Sequence, residues 1–185
     1  MATRFIADMH LYHAYSEDWR SDLQLGLDGY ANMLLREWNS GVDVNDTVII
    51  VGDIGKYCEM TENVLRRLNG QKILVLGNHD LEWGSKLYDS TLFAGVHTSI
   101  LTNGVYIQHK PDFSDNVRNK CTYLVHGHHH RYDMPNMRQA LQLYARDVHR
   151  YNCAADLIKH KPRTLQELML QKELLLERYY AMNLL

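Results

Sequence analysis

Four short apolar runs in this chain each end in residues able to bind metal. Asp8-Met9-His10 follows Phe5-Ile6-Ala7, and Gly52-Asp53 follows Val48-Ile49-Ile50-Val51. Gly77-Asn78-His79-Asp80 follows Ile73-Leu74-Val75-Leu76, and Gly127-His128-His129-His130 follows Tyr123-Leu124-Val125-His126. A fifth segment, Val105-Tyr106-Ile107-Gln108-His109, adds one more histidine. Runs of this length and apolarity read as buried strands, and ligands of open α/β sheets gather beyond the carboxyl ends of such strands. The pattern therefore predicts a sheet that holds metal at one edge.

The intervening segments fit that prediction. Tyr30, Met33, Leu34 and Trp38 fall at helical spacing. A second helix is expected over Val64, Leu65 and Leu68, with Thr61 as its cap and Asn69-Gly70 as its stop. Strand–helix–strand–helix–strand with short connections predicts parallel pairing. Beyond Gly95 the rhythm changes. Val96–Leu101 and Val105–His109 flank Thr102-Asn103-Gly104, a hairpin signal, and a second sheet is inferred. Between Met134 and Tyr151 two readings stand: a helix on Ala140, Leu141, Tyr144 and Val148, or a return strand over Tyr151–Ala155. Thr164-Leu165-Gln166-Glu167 is a capping box that opens a last helix to about Tyr180. Leu165, Leu168, Met169, Lys172, Leu175 and Leu176 run along one side of it, and its surplus leucines suit a docked core helix or a contact between copies. The fold class expected is α/β, as a single domain over residues 1–185 with no linker or repeat.

Composition narrows the setting. A net charge of −2 leaves no basic field to recruit nucleic acid or anionic membrane. The three cysteines have no close pairing, which fits a reducing compartment. With no signal-type stretch and no run near about 20 apolar residues, a soluble cytoplasmic protein is expected. Histidine is the unusual count: of eleven, five (His10, His79, His109, His128 and His130) stand in the blocks above as candidate ligands or catalytic groups.

Those blocks offer a mixed donor set. Asp8 and His10, two apart in a strand, can grip one cation together. Asp53 has two oxygens and can bridge two cations about 3.5–4 Å apart. Asn78 offers an amide oxygen, and His109, His128 and His130 offer imidazole nitrogens. In an extended segment His128 and His130 share a side, leaving His129 facing away. Nitrogen and oxygen together favour Mn, Fe, Co, Ni or Zn over Mg or Ca. Taken singly each block has an ordinary reading, as chance, turn chemistry or a solvated loop. Together and in this order they do not.

Asp-x-His, Gly-Asp, Gly-Asn-His-Asp, His and Gly-His-x-His, in that order, resemble the calcineurin-like metallophosphoesterases. The opening Asp8-Met9-His10-Leu11-Tyr12-His13 is similar to the Asp-Thr-His-Phe-Gly-His of a small bacterial and phage subgroup. Trp38-Asn39-Ser40 before Asp46-Thr47, Arg67-Leu68-Asn69-Gly70, and Asn152–Asp156 followed by Lys161-Pro162 and Thr164-Leu165 resemble that subgroup too. The resemblance implies a two-sheet β-sandwich flanked by helices, a four-layer αββα fold. It implies two divalent transition-metal ions, Mn first and Fe, Zn, Co or Ni as alternatives. Asp8, His10 and His130 would hold the first ion, Asn78, His109 and His128 the second, and Asp53 would bridge. His79 would protonate the leaving oxygen or stabilise charge on phosphate, oriented by Asp80. Ile54-Gly55-Lys56-Tyr57 replaces the subgroup's Phe-Ser type of sequence, and His129 stands where Thr is frequent. Both departures concern substrate shape.

The expected activity is hydrolysis of a phosphomonoester or phosphodiester by a metal-bound hydroxide. The partner is a small phosphoester, with nucleotides among the candidates. Alternatives are a nuclease or cyclic-nucleotide phosphodiesterase of the same chemistry, and a silent interaction module on this fold. Arg66-Arg67 with Arg146 and Arg150 make a poor nucleic-acid patch. His13, Trp19, Trp83 and Tyr106 lie near the motifs and are candidates for a pocket wall, His13 as a phosphate contact, although core packing is the favoured role for the aromatics.

Overall fold

Branched apolar side chains fill a pleated surface that is covered on both faces, and Thr47–Ile50 is such a run. In a computed structural model, which describes residues 1–13, 24–87, 91–111, 114–130 and 149–183, it forms β2 inside a parallel sheet. Its neighbours are β1 (Thr3–Ile6) and β3 (Gln71–Val75), with β4 (Gly95–His97) at the edge beyond β3. Ile6, Val48, Ile50 and Leu74 are wholly buried.

Helix α1 (Gly26–Gly41) leads into β2 and buries Tyr30, Ala31, Leu34 and Trp38. The Trp38 indole N–H donates to the Asn69 carbonyl at 3.0 Å, which pins α1 to the turn before β3. Helix α2 (Glu59–Arg67) joins β2 to β3 and starts earlier than the sequence predicts. Thr61 is not its cap. Its hydroxyl donates to the Lys56 carbonyl at 2.7 Å inside the first turn, so it closes the entry to the helix rather than receiving a free N–H.

The second sheet runs in chain order: β5 (Ile100–Thr102), β6 (Val105–Ile107), β7 (Tyr123–His126) and β8 (Arg150–Asn152). β5 and β6 are antiparallel, while β6–β7 and β7–β8 are parallel. Asn103 (φ 48°) and Gly104 (φ 76°) make the expected tight turn. The strand expected over Val96–Leu101 is instead two strands in two sheets. Ile73, Leu74 and Val75 take Gly95, Val96 and His97 as partners, and the chain changes sheets at Thr98-Ser99. Alternation in a sequence marks a strand but does not name its neighbour. A one-turn helix, α3 (Asp115–Arg118), lies between β6 and β7.

The sheets meet where β1 ends. Ala7 N–H donates to the Cys153 carbonyl at 2.9 Å, and Ala155 N–H donates to the Ala7 carbonyl at 2.8 Å. One apolar core follows, joining Ile6, Ile50 and Leu74 to Ile107, Val125 and Cys153. Helix α4 (Leu165–Asn183) lies against β1 and β8. Its capping box is formed: Glu167 N–H donates to Thr164 Oγ1 at 3.2 Å, and Thr164 N–H to Glu167 Oε2 at 2.7 Å. Leu168 and Lys172 are buried on the docked face, while Leu170 and Leu174 are exposed.

Of the two readings of the 134–155 region, the strand is present as Arg150–Asn152. The helix reading on Ala140, Leu141, Tyr144 and Val148 lies outside the described residues, as do Trp19 and Arg146. No helix among the described residues is long and apolar enough to cross a membrane.

Candidate metal centre

Every block singled out in the sequence follows the carboxyl end of a strand. Asp8 and His10 follow β1, Asp53 follows β2, and Asn78, His79 and Asp80 follow β3. His109 follows β6, and His128 and His130 follow β7. The backbone there is not extended. Asp8 (φ 57°), His10 (φ 44°), Asp53 (φ 56°) and His128 (φ 71°) are left-handed. This corrects the strand-period argument for Asp8 with His10 and for His128 with His130. The strands have already ended, and irregular turns bring these side chains together. Asp and His are among the residues that best tolerate such backbone, at a cost of order 1–3 kcal/mol each. Glycines leave room for the carboxylates: a Cβ at Gly77 would overlap Asp53, and one at Gly127 would overlap Asp8.

The side chains converge. His10 Nε2 and His130 Nε2 face each other at 3.2 Å. His130 Nε2 is 3.6 Å from Asp8 Oδ1, and His10 Nε2 is 3.7 Å from Asp53 Oδ2. That same Asp53 oxygen is 3.3 Å from His109 Nε2, which lies 3.1 Å from Asn78 Oδ1. The His128 ring stands edge-on to that of His109 with centroids 5.2 Å apart. Six of the seven predicted ligands are thus linked through their donor atoms, with Asp53 between His10 and His109, and His128 joins them through its ring contact with His109. Two ligand groups, Asp8 with His10 and His130, and Asp8 with Asp53 and His109, have donor atoms within 4.8 Å of one another. His79 forms a third such group with His10 and Asp53, so its ring lies beside two of the predicted ligands.

Surrounding contacts fix which atoms face inward. His109 Nδ1 donates to the Val51 carbonyl at 2.8 Å, turning Nε2 toward Asp53 and Asn78. Backbone N–H groups hold the outer carboxylate oxygens, His128 N–H on Asp8 Oδ2 and His79 N–H on Asp53 Oδ1, each at 2.9 Å.

Charge follows from this packing. Burial pushes the Asp8 carboxyl up to about 7, against the pull of His109 and His130. Burial also raises Asp53, but the His109 hydrogen bond and charge, the His79 N–H and His10 outweigh it and hold Asp53 down at about 2. Burial would lower His109, yet Asp53 and Asp8 carry it up to about 9. The donor chemistry fits: imidazole nitrogens, carboxylates and one amide oxygen suit a transition dication, and the two buried carboxylates supply the countercharge.

Asp80 departs from its expected part. Its carboxylate does not serve as the orienting partner of His79; it accepts backbone N–H groups of Gly77 (2.8 Å), Asp53 (2.9 Å) and Ile54 (2.9 Å). It is fully buried and clamps the loop after β2 to the loop after β3. Trp83 is likewise a packing residue, buried against Tyr57 with its indole N–H on the Gly55 carbonyl at 2.9 Å. His13 is at the centre, with its ring 5.8 Å from that of His10 and 5.2 Å from that of His79.

Two features were missed in the sequence. Asp156 Oδ2 lies 3.6 Å from His130 Nδ1; its only signal was membership of the Asn152–Asp156 block. A cleft of about 490 Å³ opens beside Asn78 and His109, walled by Leu76 and Pro111 with Thr98, Gln108 and Lys110. It joins side chains from three strand ends, which no local pattern reveals.

No protein-family model matches the chain. Over 132 residues it is 27% identical to the uncharacterized protein MJ1445 of Methanocaldococcus jannaschii, a span of 68% of this chain and 67% of that one. Its fold is similar to the crystal structure of AQ665, a protein of unknown function from Aquifex aeolicus. The TM-score is 0.63 at 22% identity, over 90% of this chain and 96% of that one. The likeness is one of fold.

Proposed function

We propose that the chain is a phosphoesterase that works with two divalent transition ions, manganese first among them, on a four-layer αββα fold of the calcineurin-like metallophosphoesterase type. The observation that carries this reading is the Asp53 carboxylate lying between His10 and His109, with Asp8 and His130 beside His10 and with Asn78 and the His128 ring beside His109.

Asp8, His10 and His130 would hold one ion, Asn78, His109 and His128 the other, and Asp53 would bridge. When bound, such a pair supplies Lewis acidity, lowering the pKa of water from 15.7 toward about 7 and polarising a phosphoryl group. The chain's own residues do the rest. His79, partly exposed beside His10, hands a proton to the departing alcohol oxygen. Asp80 keeps the loops that carry Asp53 and His79 in register through its three backbone N–H contacts. The cleft past Asn78 and His109 receives the organic part of the ester. Its volume falls in the range of small-molecule sites, roughly 300–1,000 Å³, and Lys110 gives it one cation to face an anionic substrate.

The test is a panel of bis-nitrophenyl phosphate, nitrophenyl phosphate and 2′,3′-cyclic nucleotides with manganese-loaded protein. Hydrolysis of at least one class, abolished by chelator and restored by manganese, is the expected result. Absence of turnover on the whole panel points to a non-catalytic binding module.

A further inference from the structure

We propose that His13, His79 and Glu82 form a third cation site at the mouth of the centre, suited to zinc, whose occupancy silences the enzyme. The cation-binding part stands on geometry alone. The silencing rests on the function proposed above.

His79 and Glu82 are held by the turn they share. Glu82 N–H reaches back to the His79 carbonyl at 3.4 Å, and residues three apart in a 3₁₀ turn eclipse one another. The imidazole and the carboxylate therefore project from the same side. His13 faces them from the loop after β1, its ring edge-on to His79 with centroids 5.2 Å apart. One donor atom from each of the three lies within 4.8 Å of the others. Ligands 2.0–2.1 Å from a tetrahedral zinc sit about 3.3 Å apart, so side-chain rotation closes the gap.

The frame behind them is fixed. On one side of Glu82, Asp80 is locked by its backbone contacts; on the other, the Trp83 indole is bonded to Gly55. His13 N–H is tied to the His10 carbonyl at 3.3 Å. Two imidazoles, a carboxylate and an open fourth position are a recurrent zinc ligand set. Mg and Ca, which want oxygen alone, are poorly served. With one carboxylate, and that one exposed, the site binds more weakly than the centre built on Asp8 and Asp53, and it fills last. It uses none of the seven ligands of that centre. It does take His79, and an imidazole nitrogen that binds an ion carries no proton to hand to a leaving group.

The experiment counts zinc per chain on manganese-loaded protein by native mass spectrometry, for wild type, Glu82→Gln and His13→Ala. Wild type is expected to carry one more zinc than either variant. Excess zinc should inhibit wild-type turnover, and both variants should need at least about tenfold more zinc for the same inhibition. Equal zinc counts in all three overturn the site. A difference of one ion with unchanged inhibition overturns the silencing. The ion count needs no turnover: a chain inactive on every ester that still shows the difference retains the site and loses the phosphoesterase reading.

Discussion

Asp156 Oδ2 lies 3.6 Å from Nδ1 of His130, while Nε2 of the same ring turns toward His10 and Asp8. A carboxylate behind a histidine sets the ring's tautomer and raises the basicity of the nitrogen that binds metal. Asp156→Ala is expected to weaken manganese binding by about 10–100-fold with the fold intact, measured by chelator competition. An affinity equal to wild type would remove Asp156 from the account.

His79→Ala separates binding from chemistry. Loaded with manganese, the variant should keep the ion content of wild type and lose turnover by about 10²–10⁴-fold, the usual worth of acid–base help. The readout is kcat on a nitrophenyl phosphodiester alongside elemental analysis. Wild-type kcat would assign the proton transfer elsewhere.

Asp80 is a structural clamp in this account, so its replacement should act on stability first. Asp80→Ala leaves the N–H groups of Gly77, Asp53 and Ile54 buried without their acceptor. Each such loss costs about 1–3 kcal/mol, and a total of at least about 3 kcal/mol is expected in urea unfolding. A change within about 0.5 kcal/mol, typical of an inert surface site, contradicts the clamp.

Acid sensitivity has a source far from the centre. Asp46 accepts N–H groups from Ala2 at 2.7 Å and Asp43 at 3.2 Å, and bonds Arg4 Nε at 3.0 Å. The Ala2 N–H and Arg4, assisted by the Asp43 N–H, outweigh desolvation and hold its carboxyl down at about 2, from the usual 3.8. Between those values the unfolded chain binds the extra proton, so stability falls as pH falls. The contribution is whole above about pH 4 and disappears as pH drops through the folded value. Asp46→Asn should therefore melt below wild type at pH 7, with the gap closing toward pH 2. A gap independent of pH would show that packing, not charge, is what Asp46 contributes.

Much of the fold could be read in advance because the signals are local. Val48-Ile49-Ile50 and Ile73-Leu74-Val75 are too apolar and branched for anything but buried strands, and Thr164 with Glu167 announces a helix start. The residues of the candidate site stood out for the same reason, as polar blocks at the ends of such runs. What could not be read is tertiary. Gly95–His97 pairs with β3 rather than continuing into the strand after it, a choice of neighbour that no local pattern encodes. Left-handed backbone at Asp8, His10, Asp53 and His128 comes from loops meeting across two sheets. Asp80 shows the limit well: next to His79 in the chain, it spends its carboxylate on three backbone N–H groups, two of them in the loop after β2.

In the proposed function one carboxylate, Asp53, joins two ions. Elemental analysis of untagged, manganese-dialysed protein, wild type against Asp53→Ala, tests it most directly. Two ions per chain are expected in wild type and loss of both in the variant. Two ions retained by Asp53→Ala, or none bound by wild type, would contradict it.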